Sequence, residues 1–513
     1  MSRTRIEFGD FQTPIQLSNL VTSLLTELSI NPHIIVEPTC GSGSFLISGM
    51  ESFNDAKYFY GFDINKEYIQ ELSSKFKDRK NIEIVEQDFF SFNWNGFVQN
   101  LKKPILCIGN PPWVTNAVLS TIGSKNLPEK SNFQGLSGLS AKTGKSNFDI
   151  SEWILIKLSE ALNKSDSYIA MLCKTSTARK VLVHNWRNNI EVDDSKLFLF
   201  DSKKYFNISA GACLLYMSFK PNHFEKKADI YSDLNLQNRI ATMGIINNEL
   251  VADIDSYKRA SAIDGLQYYI WRSGIKHDAA KVMELERVDD TYRNGFGEII
   301  DLEDTYVYPL LKSSDLGNNR LKPRKYVIVT QKNMKEPTNT INKKAPKTWE
   351  YLNRYSNILL NRKSSIYKNR PQFCIFGIGD YAFSHWKVAI SGLYKNIRFN
   401  AIGPYESKPI MLDDTCYFIS CKNEKEAVFI SQLLNSQVSI DFIHSLVFFD
   451  AKRPVTIDVL KRIDLRKLAT KLGVGKKDTN CLKQSKYISN GQMCLVFGKN
   501  DRITSNSECV ASI

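Results

Sequence analysis

A chain of 513 residues is too long for one ordinary core, so two or more domains are expected, and 42% apolar with 11% aromatic residues is a globular composition. No apolar run approaches the roughly 18 residues of a membrane span, and the ten cysteines and six histidines are scattered without C-x-x-C, H-x-x-x-H or H-E-x-x-H spacing, which argues against a membrane protein, a disulfide framework and a metal site. The net charge of +14 points to a polyanionic partner because it is concentrated: Lys312 to Arg370 holds fifteen Lys or Arg against three acids, interleaved with Tyr326, Trp349, Tyr351, Tyr355 and Tyr367.

The opening "MSRTRIEFGDFQTP" contains no apolar h-region, so no secretory signal is read and a cytoplasmic protein is expected. Leu17, Leu20, Val21, Leu24, Leu25 and Leu28 recur at three and four, predicting a helix. Strand candidates then alternate with amphipathic stretches at 33–38, 58–63, 82–87, 104–109, 167–173, 196–201 and 211–219. That rhythm predicts an α/β, Rossmann-like sheet of seven strands. The clearest helices are "NKEYIQELSSKF" (65–76) and "DISEWILIKLSEAL" (149–162), the second with Ile150, Trp153, Ile154, Leu158 and Ala161 on one face broken by Lys157.

Three of the strands end in residues that outline a nucleoside pocket. "VEPTCGSGSFL" (36–46) runs from a strand through a Gly-x-Gly turn into a helix, where Gly41 and Gly43 let the backbone approach a ligand and the helix start favours negative charge. Some twenty residues on, the second strand ends in Asp63, placed for ribose hydroxyls. The third ends in "EQDFF", offering Asp88 to an exocyclic amine and Phe89 as an apolar wall. The fourth runs into "GNPPW" (109–113), whose two prolines hold the segment extended and present the Asn110 amide, the backbone carbonyls and the Trp113 ring.

Residues 120–148 are rich in Gly, Ser and Lys and break the pattern, which predicts a lid over a substrate. After about residue 222 the rhythm fades. A boundary is expected at 221–245, separating the sheet domain (1–221) from a mixed α+β domain (245–475) and a polar tail (476–513).

The order of these blocks resembles the S-adenosylmethionine-dependent amino-methyltransferases that act on DNA, of the γ type. "DFQTP" (10–14) stands before the Gly-rich turn and "NPPW" after it, while "KSNFD" (145–149) and "YFNISAGACLLYM" (205–217) resemble the later blocks. The resemblance covers residues 8–220. It implies S-adenosylmethionine as cofactor, held by Phe11, Thr13, Glu37, Gly41, Gly43, Asp63, Asp88 and Phe89. It also implies transfer to N6 of a flipped-out adenine in double-stranded DNA, catalysed by Asn110, Pro111, Pro112 and Trp113, with Phe206 on the opposite face of the base. Target recognition is expected in the second domain through Lys322, Arg324 and Lys325 among others. A functionally paired restriction endonuclease, a monomeric state and no membrane association complete the expectation.

Other readings remain open at this point. Asn-Pro-Pro-aromatic also serves protein-glutamine and ribosomal-RNA amine methyltransferases, although these usually lack a basic domain after the sheet. N4-cytosine methylation is chemically close but favours Ser at the position of Asn110. A fused endonuclease is disfavoured because only ten residues precede "FQTP" and no Pro-Asp…Glu-x-Lys cluster stands in the C-terminal half, and a silent DNA-binding module is disfavoured by the intact "NPPW".

Overall fold

The computed structural model describes residues 11–114, 149–265, 268–475, 479, 482, 484–487 and 493–496. The expected lid at 120–148, most of the block at 145–149 and most of the tail lie outside these. The chain divides after Asp255 into two compact units.

The first unit is built on one sheet. All seven expected strands form: β1 (Ile34–Glu37), β2 (Tyr58–Asp63), β3 (Ile82–Glu86), β4 (Ile105–Gly109), β5 (Ser167–Lys174), β6 (Asp194–Asp201) and β7 (Gly211–Phe219). Strands β3-β2-β1-β4-β5 pair in parallel, and β7 is inserted antiparallel between β5 and β6. Every residue of β1 and β4 is buried, so these strands are apolar runs without alternation, as expected where both faces of a sheet are covered. The strand order reverses between β1 and β4. In open α/β sheets the crevice outside the carboxyl ends at such a reversal is where ligands bind.

Helices pack the faces. Helix α1 (Ile15–Glu27) follows Pro14 and buries Leu17, Val21, Leu24 and Leu25 at helical spacing; α2 (Ser44–Ser52) starts from Gly43. The two are joined by a polar seam in which Ser18 and Ser48 hydroxyls lie 2.7 Å apart, Ser48 donates to Asn19 Oδ1 at 2.6 Å and Ser52 to Thr22 Oγ1 at 2.8 Å. Such bonds fix how far one helix slides along the other, which apolar contact alone does not. Helices α3 (Lys66–Lys75) and α4 (Trp94–Gln99) follow β2 and β3. Helix α5 (Ile150–Leu162), capped by the Asp149 carboxylate, is buried well beyond the predicted face: Leu155 and Ile156 are also in the core, while Lys157 reaches out to Glu160 at 3.0 Å.

The sheet does not stop at seven strands. Residues read as linker and irregular sequence form β8 (Lys227–Tyr231), β9 (Arg239–Ile246) and β10 (Glu249–Val251), and β8 pairs in parallel with β6 to make ten strands in all. Lys227, Asp229 and Arg239 mask the apolar pattern there; charges on strands near a sheet's margin protect it from pairing with other chains.

The second unit is mixed α+β. Its four-stranded antiparallel sheet runs Arg272–Ser273, Cys416–Cys421, Trp386–Ser391 and Asn400–Ile402. A six-stranded sheet is ordered Ile299–Ile300, Thr291–Arg293, Glu284–Val288, Lys325–Ile328, Val307–Leu311 and Met411–Leu412. In the tail, Gln484–Tyr487 pairs antiparallel with Met493–Val496.

Candidate active site

The residues predicted for cofactor and base lie on six segments of the first unit: the N-terminal block, the carboxyl ends of β1, β2, β3 and β4, and the turn of helix after β6. Glu37 closes β1, buried at 3% exposure, and accepts a hydrogen bond from Leu46 N at 3.1 Å. Burial pushes its carboxyl well above the usual carboxylate range; the Leu46 and Phe45 N–H groups oppose this and the Asp63 charge adds to it. Among the described residues Glu37 has no cationic partner, so the site holds a buried acid that a cation would relieve.

Gly41 and Gly43 take φ of +47° and +76°, a left-handed backbone that favours glycine. A Cβ on Gly41 would lie 2.6 Å from the Gln12 side chain, and one on Gly43 would lie 2.7 Å from Leu72 Cδ2. Asp63 fixes the turn from the end of β2: one carboxylate oxygen accepts from Gly41 N and the other from Asn65 N, each at 2.8 Å. The N-terminal block covers the turn, with Ser42 N donating to Gln12 Oε1 at 2.8 Å and Ser44 Oγ to the Thr13 carbonyl at 2.7 Å. Thr13 itself is buried. Gln12 was not singled out in the sequence; its only signal is its place between Phe11 and Thr13.

Beyond β3, Asp88 accepts from Phe90 N at 3.0 Å, the capping bond of a tight turn. Phe89 is buried against Trp94, ring centroids 4.8 Å apart at 31°, and its carbonyl accepts from the Trp94 indole at 2.9 Å. Phe62, Phe92 and Phe97 pack around the same indole. Of this aromatic wall the sequence reading names only Phe89, because the other members are dispersed over β2 and the loop and helix after β3.

At the end of β4 the Asn110 amide nitrogen donates to the Phe11 carbonyl at 3.0 Å. A carbonyl can only accept, so this bond settles which end of the amide faces Phe11. The other end, Oδ1, is buried and has no hydrogen-bond partner among the described residues. An orphaned buried acceptor carries a desolvation penalty of about 1–3 kcal/mol, which a donor supplied by a ligand would remove. Pro111 is buried and Pro112 partly so. Trp113 is buried too, its indole N–H donating to the Leu172 carbonyl at 3.3 Å.

Phe206 lies beside Trp113, and the rings meet edge to face, 5.5 Å apart at 65°. Phe11 meets Phe206 the same way at 6.3 Å. A base sandwiched between Trp113 and Phe206 therefore requires at least one ring to turn.

Two of the three basic residues singled out in the second unit, Arg324 and Lys325, are engaged with buried acids. Arg324 donates to Asp315 at 2.9 Å, and Lys325 lies 3.5 Å from Glu284, which also accepts from Lys312 at 2.7 and 3.0 Å. Lys322 is exposed and, among the described residues, forms no ion pair. Of the three, it is the one whose charge is not committed inside the unit.

The family model described as N-6 DNA Methylase matches residues 2–173. Type II methyltransferase M.NspV of Nostoc sp. (strain ATCC 29411 / PCC 7524) is 44% identical over 476 residues, covering 91% of this chain and 98% of that protein. Among solved structures, the type IIL restriction-modification enzyme MmeI in complex with DNA matches over 91% of this chain and 74% of its own, at 12% identity and a TM-score of 0.46. The type IIG restriction endonuclease BpuSI matches over 88% and 58%, at 13% identity and a TM-score of 0.36.

Proposed function

The chain belongs to the N-6 DNA methylase family and is a DNA methyltransferase of the restriction-modification type, and from that premise we propose that it methylates N6 of an adenine flipped out of duplex DNA at a specific sequence. S-adenosylmethionine is its cofactor, and when bound it supplies an electrophilic methyl group on a sulfonium. The residues fit that group: Glu37 is a buried carboxylate lacking a cation, suited to the methionine ammonium, and the glycine turn leaves backbone room beside it. Asp63, pinned by Gly41 N and Asn65 N at the end of β2, is the carboxylate assigned to the ribose hydroxyls, and Asp88 and Phe89 are the residues assigned to the adenine.

The observation that carries the proposal is the buried Oδ1 of Asn110, which has no hydrogen-bond partner among the described residues. An exocyclic amine is a poor nucleophile because its lone pair is delocalised into the ring. Asn110 Oδ1 and the Pro111 carbonyl, as acceptors for its two hydrogens, draw the nitrogen toward a tetrahedral geometry and stabilise the charge that develops on it. Because Asn110 is already held by Phe11, the acceptor needs no reorganisation during transfer. Trp113 and Phe206 are assigned to the flipped base after ring rotation.

We assign sequence recognition to the second unit, with Lys322, Arg324 and Lys325 among its phosphate contacts, and propose a monomer in the cytoplasm paired with a restriction endonuclease. No helix among the described residues is long and apolar enough to cross a membrane. The test is methyl transfer to duplexes in which only adenine or only cytosine is available at the modified position, with modification mapping to read the sequence. Transfer confined to cytosine, to protein or to ribosomal RNA overturns the assignment.

A further inference from the structure

We propose that Lys174 is a positioning residue for methyl transfer, clasping the backbone of the Asn110–Trp113 segment to the Asp149 carboxylate. The Lys174 ammonium, at the end of β5, donates to the Trp113 carbonyl at 3.0 Å and to Asp149 Oδ2 at 2.5 Å. The inference rests on the reading of Asn110 as the acceptor of the target amine.

The need for such a clasp follows from the chain itself. Strand pairing between β4 and β5 ends at Gly109 opposite Met171, so residues 110–114 leave the sheet without ladder bonds. Pro111 and Pro112 have no N–H to donate. Among the described residues what remains is a short set of bonds: Asn110 to Phe11, the Trp113 indole to Leu172, Ile150 N to the Val114 carbonyl at 2.9 Å, and Lys174 to the Trp113 carbonyl. Lys174 alone among these is charged, and it reaches the peptide three residues after the catalytic amide.

Asp149 is built to hold that ammonium in place. Its side chain is 6% exposed, and its other oxygen accepts from Ser151 N at 3.2 Å and Ser151 Oγ at 2.7 Å while capping α5. The carboxylate is thereby fixed by a helix start, the ammonium by the carboxylate, and the Trp113 peptide by the ammonium. A charge-assisted bond in a partly dry site is stronger and more directional than a neutral one. Loss of the clasp frees the segment to shift, and displacement of about 1 Å at a reacting group can lower a rate about 10²-fold.

The paired variant Lys174→Met/Asp149→Asn tests this, because removing both charges avoids a lone buried carboxylate and Asn retains the helix-capping oxygen. Its single-turnover methyl-transfer rate should fall about ten- to hundredfold, with equilibrium binding of S-adenosylmethionine and of specific DNA unchanged within about threefold. Lys174→Arg, which keeps charge and donors, should recover part of the rate. A rate within threefold of the parent, or a loss confined to binding, overturns the clasp. Should the paired variant fail to fold, Asp149→Asn alone carries the same comparison. Asn110→Ala is measured alongside: if it keeps its rate, the reading of the acceptor fails, whereas its loss with an unaffected Lys174→Met/Asp149→Asn rate removes the clasp only.

Discussion

The Asn110 side chain and the Phe11 carbonyl are joined at 3.0 Å across 99 residues of sequence, and this bond turns the amide so that its oxygen has no hydrogen-bond partner among the described residues. Asn110→Ala removes the acceptor while retaining both prolines and the cofactor turn. Turnover should fall by about 10²–10³, seen in single-turnover transfer, with cofactor and DNA affinities retained. A rate loss below about tenfold would reduce "GNPPW" to a stiff strand-end turn.

Glu37 places stability and binding in opposition. Its carboxyl is held protonated to higher pH in the folded chain than in the unfolded one, so stability without cofactor falls as pH rises from the ordinary carboxylate range through the folded value. Glu37→Gln should abolish that slope and raise the neutral-pH unfolding midpoint of the cofactor-free protein. Cofactor affinity should drop by about 2–5 kcal/mol, since a buried ammonium loses its counter-charge. Calorimetric titration and thermal unfolding of the same variant check both; unchanged affinity would move the methionine ammonium away from Glu37.

Lys387 gives the second unit its own pH dependence. It is 1% exposed, donates to the Ile410 carbonyl at 3.0 Å, and burial lowers its pKa to about 7. Between about pH 7 and the ordinary lysine value the unfolded chain binds more protons than the folded one, so stability rises with pH across that window, by up to about 1.4 kcal/mol per unit. Lys387→Met should flatten the rise in urea unfolding measured at pH 7 and pH 9. A parallel rise in both proteins would show that Lys387 is charged when folded.

Lys322 and Arg324 should separate binding from folding. Lys322→Gln should reduce the salt dependence of DNA affinity by about 0.9 logarithmic units if it meets one phosphate, with unfolding unchanged. Arg324→Gln removes a partner of the buried Asp315 and should lower stability as well. Salt slopes identical to the parent for both variants would place the DNA contacts elsewhere in the unit.

The strand–turn chemistry was legible in the sequence because it is local. A strand covered on both faces, such as Ile105–Gly109, is a continuous apolar run, and the residue that ends it falls at the sheet edge whatever the rest of the chain does. Asn110, Glu37, Asp63 and Asp88 could therefore be placed one strand at a time. Gln12 over Gly41 and Lys174 beside Trp113 could not, since each is defined by a partner tens of residues away. Strands 227–251 were hidden for another reason: their charges interrupt the period-two pattern that an interior strand would show.

The segment that follows β4 runs to Val114, where its carbonyl accepts from Ile150 N at 2.9 Å, one residue after Asp149. That single bond ties the end of the Asn110–Val114 segment to the first turn of α5, so the position of the amide and the position of the helix start are set together.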